Sequence, residues 1–375
     1  MVNIAFTGGG TGGHIYPGLA VAAELKKQLA SSLPADRFEF RIFWIGSSAG
    51  MDRSIVEEAG IEFFGVPSGK LRRYFSLRTI IDFFKVIRGY FAARKILKKQ
   101  KACLLFSKGG FVSVPPCAAA KSLKIPVFTH ESDFSPGLAT RINARYAART
   151  GGKIFTAYED TINLFPEKIR KCVTVTGNPV RSIFNEADPV KGRAFLNVNE
   201  DTRILLVLGG SQGAKEINDL VRVAFAELTK VYTVVHQTGP NLEWDITAGD
   251  RYKPFPYIKE EMPHIMAASE LVMGRSGAGI WEWAFLGKPM LLIPLRGSGT
   301  RGDQVENAGY FQKKGAAQVL GENAGADELM LAVNSFAQDE KKREDMAIMS
   351  AKTGKRGSAL SIAQVLADKI NKVTS

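Results

Sequence analysis

Two glycine clusters, each directly behind a short apolar run, carry the clearest chemical potential in this 375-residue chain. The first is GGGTGGH at 8–14, in which Gly8, Gly10 and Gly13 satisfy G-x-G-x-x-G. Glycines between a strand and a helix let the backbone approach a phosphate or sugar closely, and the helix start offers unpaired N–H groups to an anion. The second is GGSQG at 209–213, a similar cradle around Ser211 and Gln212. His14 closes the first loop. An imidazole with an ordinary pKa of about 6.5 suits a general base, and a helix N-terminus disfavours its protonated form. A hydrogen-bonded structural role is the alternative for His14, as it is for His130, which follows a strand and precedes Glu131.

Further along, GRSGAGIWEWAFLGKP places 276–279 where backbone N–H groups open a helix. Glu282 follows at a position where a carboxylate accepts from two ribose hydroxyls; a first-turn glutamate favoured by the helix dipole is the plainer reading. The stretch 296–308 reads as a polar loop dense in hydrogen-bonding groups: Arg296, Arg301, Asp303, Gln304 and Asn307. A nicotinamide enzyme would share the first glycine loop but needs an acid about 20 residues beyond it, at the end of the second strand. That strand ends WIGSS at 44–48, without one, and no GxxxxGK[ST] occurs. No D-x-D pair is present to hold a metal on a diphosphate, so neither a metal nor a cofactor is expected.

The elements that must position these residues alternate. Apolar runs at 2–6, 40–45, 103–106 and 126–129 predict strands, and 17–30 predicts a helix with Pro17 in its first turn. The pattern restarts with a strand at 203–208, a helix to about 229, and strands at 231–236, 270–273 and 289–294. Short apolar runs without polar alternation suit parallel sheets buried on both faces, hence two doubly wound α/β domains. The segment TGNPVRSIF at 176–184 carries the punctuation of a linker.

Composition agrees. Hydrophobic residues at 45% and charged residues at 23% exclude a disordered or fibrous chain. No apolar run approaches the roughly 18 residues of a membrane span, and the opening MVNIAF lacks the basic region of a secretory signal. Cys103, Cys117 and Cys172 form no CxxC, which favours a reducing cytoplasm over a disulfide or zinc framework.

The net charge is +13, and most of it is local. Residues 70–101 hold Lys70, Arg72, Arg73, Arg78, Lys85, Arg88, Arg94, Lys95, Lys98, Lys99 and Lys101 against the single acid Asp82. Within this patch Ile80, Phe83, Phe84, Ile87, Tyr90 and Phe91 follow one helical face. That face either packs on a core or, with its basic flanks, meets an anionic surface. A nucleic-acid module is the rival reading of the patch, but no recognised binding motif accompanies it.

GGTGGH with PGLA at 9–20, HES at 130–132 with PGLA at 136–139, GNPVR at 177–181, GGSQGA at 209–214, RSGA with a downstream glutamate at 275–282, and QxxNA at 304–308 occur together and in this order. That combination, spanning residues 1 to about 310, resembles the MurG family of UDP-N-acetylglucosamine transferases, which convert lipid I to lipid II in peptidoglycan synthesis. The resemblance implies a GT-B fold, two Rossmann-like doubly wound domains facing a central cleft. An N-terminal domain, 1–177 plus a return helix in 356–375, would take the acceptor and face the membrane; 178–355 would bind UDP-GlcNAc.

It also implies roles. Thr11, Gly12 and Gly13 would lie near the donor sugar and the acceptor, with His14 as the base. Arg181, Ser211 and Gln212 would contact the donor, with backbone N–H groups near Ser276 facing the leaving diphosphate. Ile258 matches the position whose backbone holds uracil, Glu282 the ribose-binding glutamate, and Gln304 a donor-sugar glutamine. Three departures stand out: Asp133 replaces a usual asparagine after HES, the 275–282 loop is one residue shorter, and Asp303-Gln304 replaces paired glutamines. The expected partners are UDP-GlcNAc, lipid I and, through 70–99, the anionic cytoplasmic leaflet, with no nucleic acid. The expected place is the cytoplasmic face of a bacterial plasma membrane, bound peripherally. A same-fold transferase using another lipid acceptor, such as diacylglycerol, is the alternative.

Overall fold

The computed structural model describes residues 2–32, 39–50, 52–69, 77–210, 212–240, 249–297 and 300–374, with the side chains of 32, 77–81 and 373–374 left aside. The chain divides into two units: Met1–Arg181 with Gly357–Ser375, and Ser182–Arg356. The division falls after Arg181 rather than at 177. The segment preceding it is tied to the first unit: the Gly177 carbonyl is bonded to His130, and the Arg181 guanidinium lies 5.2 Å over the Tyr16 ring.

The first unit is built on a parallel sheet of seven strands: β1 (Val2–Thr7), β2 (Phe40–Ser47), β3 (Glu62–Val66), β4 (Ala102–Ser107), β5 (Val127–Glu131), β6 (Ile154–Thr156) and β7 (Val173–Val175). Their order is β3-β2-β1-β4-β5-β6-β7. The second carries six: β8 (Ile204–Leu208), β9 (Thr233–Gln237), β10 (Tyr252–Phe255), β11 (Leu271–Gly274), β12 (Met290–Leu292) and β13 (Gln318–Val319), ordered β10-β9-β8-β11-β12-β13 and again parallel. β1, β4, β8 and β11 are almost wholly buried apolar runs, as strands covered on both faces must be.

Strand order locates the chemistry. In the first sheet the order reverses between β1 and β4, in the second between β8 and β11. Loops leaving neighbouring strands in opposite directions at such a point open a crevice at the carboxyl edge, where α/β sheets take ligands. Both glycine clusters leave the sheet there. At the amino edge of the second sheet, Arg203 instead pairs with Glu270 through two bonds of 3.0 and 2.5 Å, a structural clamp.

Two elements differ from expectation. The polar stretch 296–308 is not all loop: a helix, Asp303–Lys313, begins inside it. Gly302, at φ +76°, breaks the chain into the helix, and Asp303 and Glu306 complement its N-terminal dipole. The helix Leu77–Lys99 buries Gly89, Ala93 and Leu97, and of the expected stripe Tyr90 packs against that core while Phe83, Phe84, Ile87 and Phe91 do not face it. A Cβ on Gly89 would sit 2.3 Å from the Pro67 carbonyl oxygen, so small residues bring this helix close to its neighbours and turn the aromatics outward. Phe83, Phe84 and Phe91 are 56%, 59% and 64% exposed. Leu71 and its neighbours through residue 76 lie outside the described residues.

The helix Ser358–Thr374 returns to the first unit. Ile362, Ala363, Leu366, Ala367 and Ile370 are buried with Ile4, Phe6, Val21, Leu25 and Trp44. Deleting most of a buried leucine leaves both lost transfer energy and a cavity. Leu366→Ala should therefore lower the unfolding free energy by about 2–5 kcal/mol in urea denaturation, whereas Leu360→Ala, on the exposed side of the same helix, should change it by less than about 0.5 kcal/mol.

Candidate functional site

In the first unit the loop after β1 folds into a short turn, Gly12–His14, before the helix Tyr16–Ser32. Its shape comes from β2. The Trp44 indole donates to the Gly8 carbonyl at 3.0 Å, and buried Asp52 accepts the Gly10 N–H at 3.0 Å and the Ser47 N–H at 3.2 Å. A Cβ on Gly9 would lie 2.0 Å from the Asp52 carboxylate. The acid nearest the end of β2 is thus spent on the protein's own backbone. Thr11 is left exposed, and Gly12, Gly13 and His14 partly exposed.

A third glycine pair, Gly109-Gly110 after β4, faces this loop and was not singled out from sequence, although it gives the same strand-then-glycine signal. Both have positive φ, +94° and +77°, and a Cβ on Gly110 would touch the His14 ring at 3.0 Å. The His14 ring therefore rests against bare backbone.

Next to it lies a buried charge cluster. Glu131, at the end of β5, accepts the N–H groups of Ser132 (2.8 Å), Asp133 (3.0 Å) and Gly137 (3.1 Å). The side chain of Lys108, 1% exposed, donates to the Ser132 hydroxyl. Burial pushes the Lys108 ammonium from 10.5 down to about 8, while Glu131 and Asp133 pull it up. The carboxylate that replaces the usual asparagine at 133 thus has a cation nearby. His130 is fully buried with Nε2 3.0 Å from the Gly177 carbonyl; burial first, and the Lys108 charge second, hold its pKa well below 6.5. It stays neutral and links HES to GNPVR, the structural reading.

In the second unit the GGSQG loop turns tightly: the Gly213 N–H reaches the Gly210 carbonyl at 3.1 Å, and Gly210 and Gly213 have φ of +89° and +77°. Ser211 lies outside the described residues; Gln212 is exposed. The helix Lys215–Val231 then starts with no side-chain cap from Ala214. A pocket of about 900 Å³ opens here, lined by Gly209, Gly213, Lys215, Arg275, Leu295 and Gln304, among others. It brings the glycine loop, the start of RSGA and Gln304 together. Arg275 bonds Glu216 at 2.7 Å and the Ile293 carbonyl at 3.0 Å. The Gln304 side-chain oxygen accepts the Leu295 N–H at 2.9 Å.

The Ser276 side chain is turned away from the pocket, which leaves the backbone as what this residue can offer. It is fully buried, its hydroxyl donates to the Gln304 carbonyl at 2.7 Å, and its own carbonyl accepts from Asn307 at 3.0 Å. It fastens the loop after β11 to the helix Asp303–Lys313. Glu282, third in the short helix Ile280–Phe285, is partly exposed and does not line the pocket. Ile258 is also outside that lining; it is buried, and its N–H is taken by Gln237 at 3.0 Å. Asp52, Lys108 and Gln237, which hold these loops, carry no signal in the local sequence.

Comparison with known proteins now bears on this geometry. Residues 4–151 match the glycosyltransferase family 28 N-terminal domain, and residues 204–362 match its C-terminal domain. The chain belongs to glycosyltransferase family 28. A Treponema denticola protein named UDP-N-acetylglucosamine--N-acetylmuramyl-(pentapeptide) pyrophosphoryl-undecaprenol N-acetylglucosamine transferase is 46% identical, across 98% of this chain and 97% of that relative. A Treponema pallidum protein of the same name is 45% identical across 97% and 94%. The crystal structure of Acinetobacter baumannii MurG superposes with a TM-score of 0.72 at 22% identity, covering 98% of this family 28 chain and all of that one, a likeness of fold. The two parallel sheets described above are those of the GT-B fold.

The buried lysine makes a pH prediction. Between about pH 8 and 10.5 the unfolded chain retains a proton at Lys108 that the folded chain has released. Stability contributed by this group therefore rises with pH in that window and is lost as pH falls through 8. Lys108→Met lacks the effect. The stability difference between wild type and Lys108→Met should shift in favour of wild type by on the order of 2 kcal/mol from pH 7 to pH 10. Urea denaturation of both proteins at both pH values measures it; a constant difference would contradict the buried cation.

Proposed function

We propose that this chain transfers N-acetylglucosamine from UDP-GlcNAc to a lipid-linked N-acetylmuramoyl-pentapeptide, with inversion at the anomeric carbon. The observation that carries the reading is the near full-length relationship to transferases named for that reaction, in a chain whose glycine loops both leave their sheets at the switch point. The acceptor hydroxyl attacks the anomeric carbon, the bond from that carbon to the UDP oxygen breaks, and His14 takes the hydroxyl proton. General-base catalysis of this kind contributes typically 10²–10⁴-fold. His14 suits the role because it is partly exposed beside Thr11, Gly12 and Gly13 and held against Gly110.

The leaving diphosphate gains charge as the bond breaks. N–H groups of the loop holding Ser211 and Gln212, the side-chain-uncapped start of Lys215–Val231, and Arg275 favour that charge in a preorganised way. Arg275 would exchange Glu216 for phosphate. Arg181 and Asp133 are donor contacts, Glu282 the ribose acceptor, Ile258 the base position and Gln304 the sugar contact; Ser276 serves through its backbone.

The lipid anchor of the acceptor implies work at a membrane, yet no helix among the described residues is long and apolar enough to cross one. We place the chain peripherally on the anionic cytoplasmic leaflet. Phe83, Phe84 and Phe91 stand out from a helix that also exposes Lys85, Arg88, Arg94, Lys95, Lys98 and Lys99. Apolar insertion together with about 1 kcal/mol per basic residue near an anionic surface gives reversible binding.

Radiolabelled UDP-GlcNAc offered with lipid I or with diacylglycerol should label lipid I alone; labelling of diacylglycerol instead would move the acceptor assignment to that lipid. In the same assay His14→Ala should lower turnover at least tenfold while UDP still binds. Glu282→Ala should raise the donor KM and leave turnover the less affected constant; an unchanged KM would remove Glu282 from the ribose.

Docking is tested separately by vesicle co-sedimentation. Wild type should sediment with vesicles containing phosphatidylglycerol and much less with neutral ones. Phe83→Ser/Phe84→Ser/Phe91→Ser should release it at least several-fold, and a triple variant that sediments like wild type would exclude this face.

A further inference from the structure

The side chain of Gln237 joins the two segments that the donor reading assigns to opposite ends of a nucleoside diphosphate. β9 lies between β8 and β10, and all five of its residues are buried. Its last residue is Gln237, 4% exposed, an uncharged polar group placed where strands of this sheet otherwise end in apolar residues or glycine. Its Oε1 accepts the Ile258 N–H at 3.0 Å and its Nε2 donates to the Gly210 carbonyl at 3.1 Å. Ile258 stands at the base position; Gly210 begins the turn that carries Ser211 and Gln212.

The Gly210 carbonyl also accepts the Gly213 N–H, so the amide grips the atom that closes the turn. Backbone packing reinforces the grip. A Cβ on Gly213 would lie 2.1 Å from the Thr238 carbonyl oxygen, and one on Gly239 would lie 2.4 Å from the Gln212 carbonyl oxygen. The turn after β9 and the turn after β8 therefore move as one piece, and the amide fixes the Ile258 backbone to that piece.

We infer that Gln237 is the positioning residue of the donor site, setting the distance between the part that takes the nucleoside and the part that takes the diphosphate. This rests on the UDP-sugar reading above. A primary amide is the side chain suited to it, since it offers an acceptor and a donor at once. A carboxylate keeps only the acceptor, and a leucine keeps neither, leaving the buried Ile258 N–H unpaired and the Gly210 carbonyl with the Gly213 N–H alone.

The two arms separate experimentally. Binding of UDP and of uridine to the full chain is measured by titration calorimetry for wild type, Gln237→Glu and Gln237→Leu, with thermal unfolding to establish that each is folded. Gln237→Glu, which retains the bond to Ile258 and loses the one to Gly210, should bind UDP at least tenfold more weakly and uridine within threefold of wild type. Gln237→Leu should weaken both at least tenfold. In transfer assays the donor KM should rise with the UDP dissociation constant in either variant, while kcat stays within threefold. If Gln237→Leu does not fold, Gln237→Met takes its place as the uncharged variant, because the charge that Gln237→Glu adds would by itself oppose the diphosphate. UDP binding within twofold of wild type in the folded variants, or a loss confined to kcat, overturns the inference while leaving the donor reading intact. Equal loss of uridine and UDP in Gln237→Glu overturns it too. A wild type that binds no UDP removes both together.

Discussion

Neighbouring loops at the carboxyl edges of these sheets pack backbone against backbone. The atoms involved leave no room for a side chain: a Cβ on Gly8 would meet the His14 carbonyl oxygen at 2.6 Å, one on Gly110 the Gly9 carbonyl oxygen at 2.6 Å, and one on Gly213 the Thr238 carbonyl oxygen at 2.1 Å. Where φ is also positive, as at Gly110 and Gly213, other residues are excluded twice over. Adjacent parallel strands lie about 4.8 Å apart, so loops leaving them stay apart only if they diverge. Here they touch, and the contact leaves N–H groups and the His14 ring near the surface on loops too crowded to drift.

Such loops need anchors, and the two units use different ones. In the first, carboxylates do the holding: Asp52 gathers Gly10 and Ser47, and Glu131 gathers Ser132, Asp133 and Gly137. Two buried acids in one edge are unfavourable without compensation. The backbone N–H groups supply part of it, and Lys108 places a cation beside Glu131 and Asp133. In the second unit the anchors are neutral. Gln237 joins Gly210 to Ile258, and Ser276, Gln304, Asn307 and Leu295 interlock through carbonyl and amide groups. A neutral scaffold suits a site proposed to receive a diphosphate, because among the described residues of this unit no buried carboxylate opposes the incoming charge. Of the two acids that line the pocket, Glu216 and Asp219, the one paired with Arg275 is Glu216, half out in solvent.

The aromatic helix shows how one amphipathic pattern admits two outcomes. Its apolar residues repeat with helical period, yet the buried stripe is Gly89, Ala93 and Leu97, the smaller side. Close approach to Pro67 and Pro115 rewards the absence of bulk at Gly89. The larger apolar area, Phe83, Phe84, Ile87 and Phe91, is left exposed.

The amino-acid sequence by itself determined the two repeats of strand, glycine loop and helix and the parallel character of both sheets. These are local properties: short apolar runs lack alternation because both faces are covered, and glycines mark turns that no other residue tolerates. It also singled out His14, which closes the first glycine loop, and Gln304, which lines the pocket of the second unit. Tertiary structure decided which of those side chains face outward. Ser276 turned inward to Gln304, 28 residues away, and His130 to Gly177, 47 residues away. It alone selected the anchors, because Asp52 meets Gly10 across 42 residues, Lys108 meets Ser132 across 24, and Gln237 meets Ile258 and Gly210 across 21 and 27. Those partners are chosen by which strands lie side by side in the sheet. Strand order is a property of the packed whole, in which a residue's nearest neighbours come from loops that no local periodicity connects.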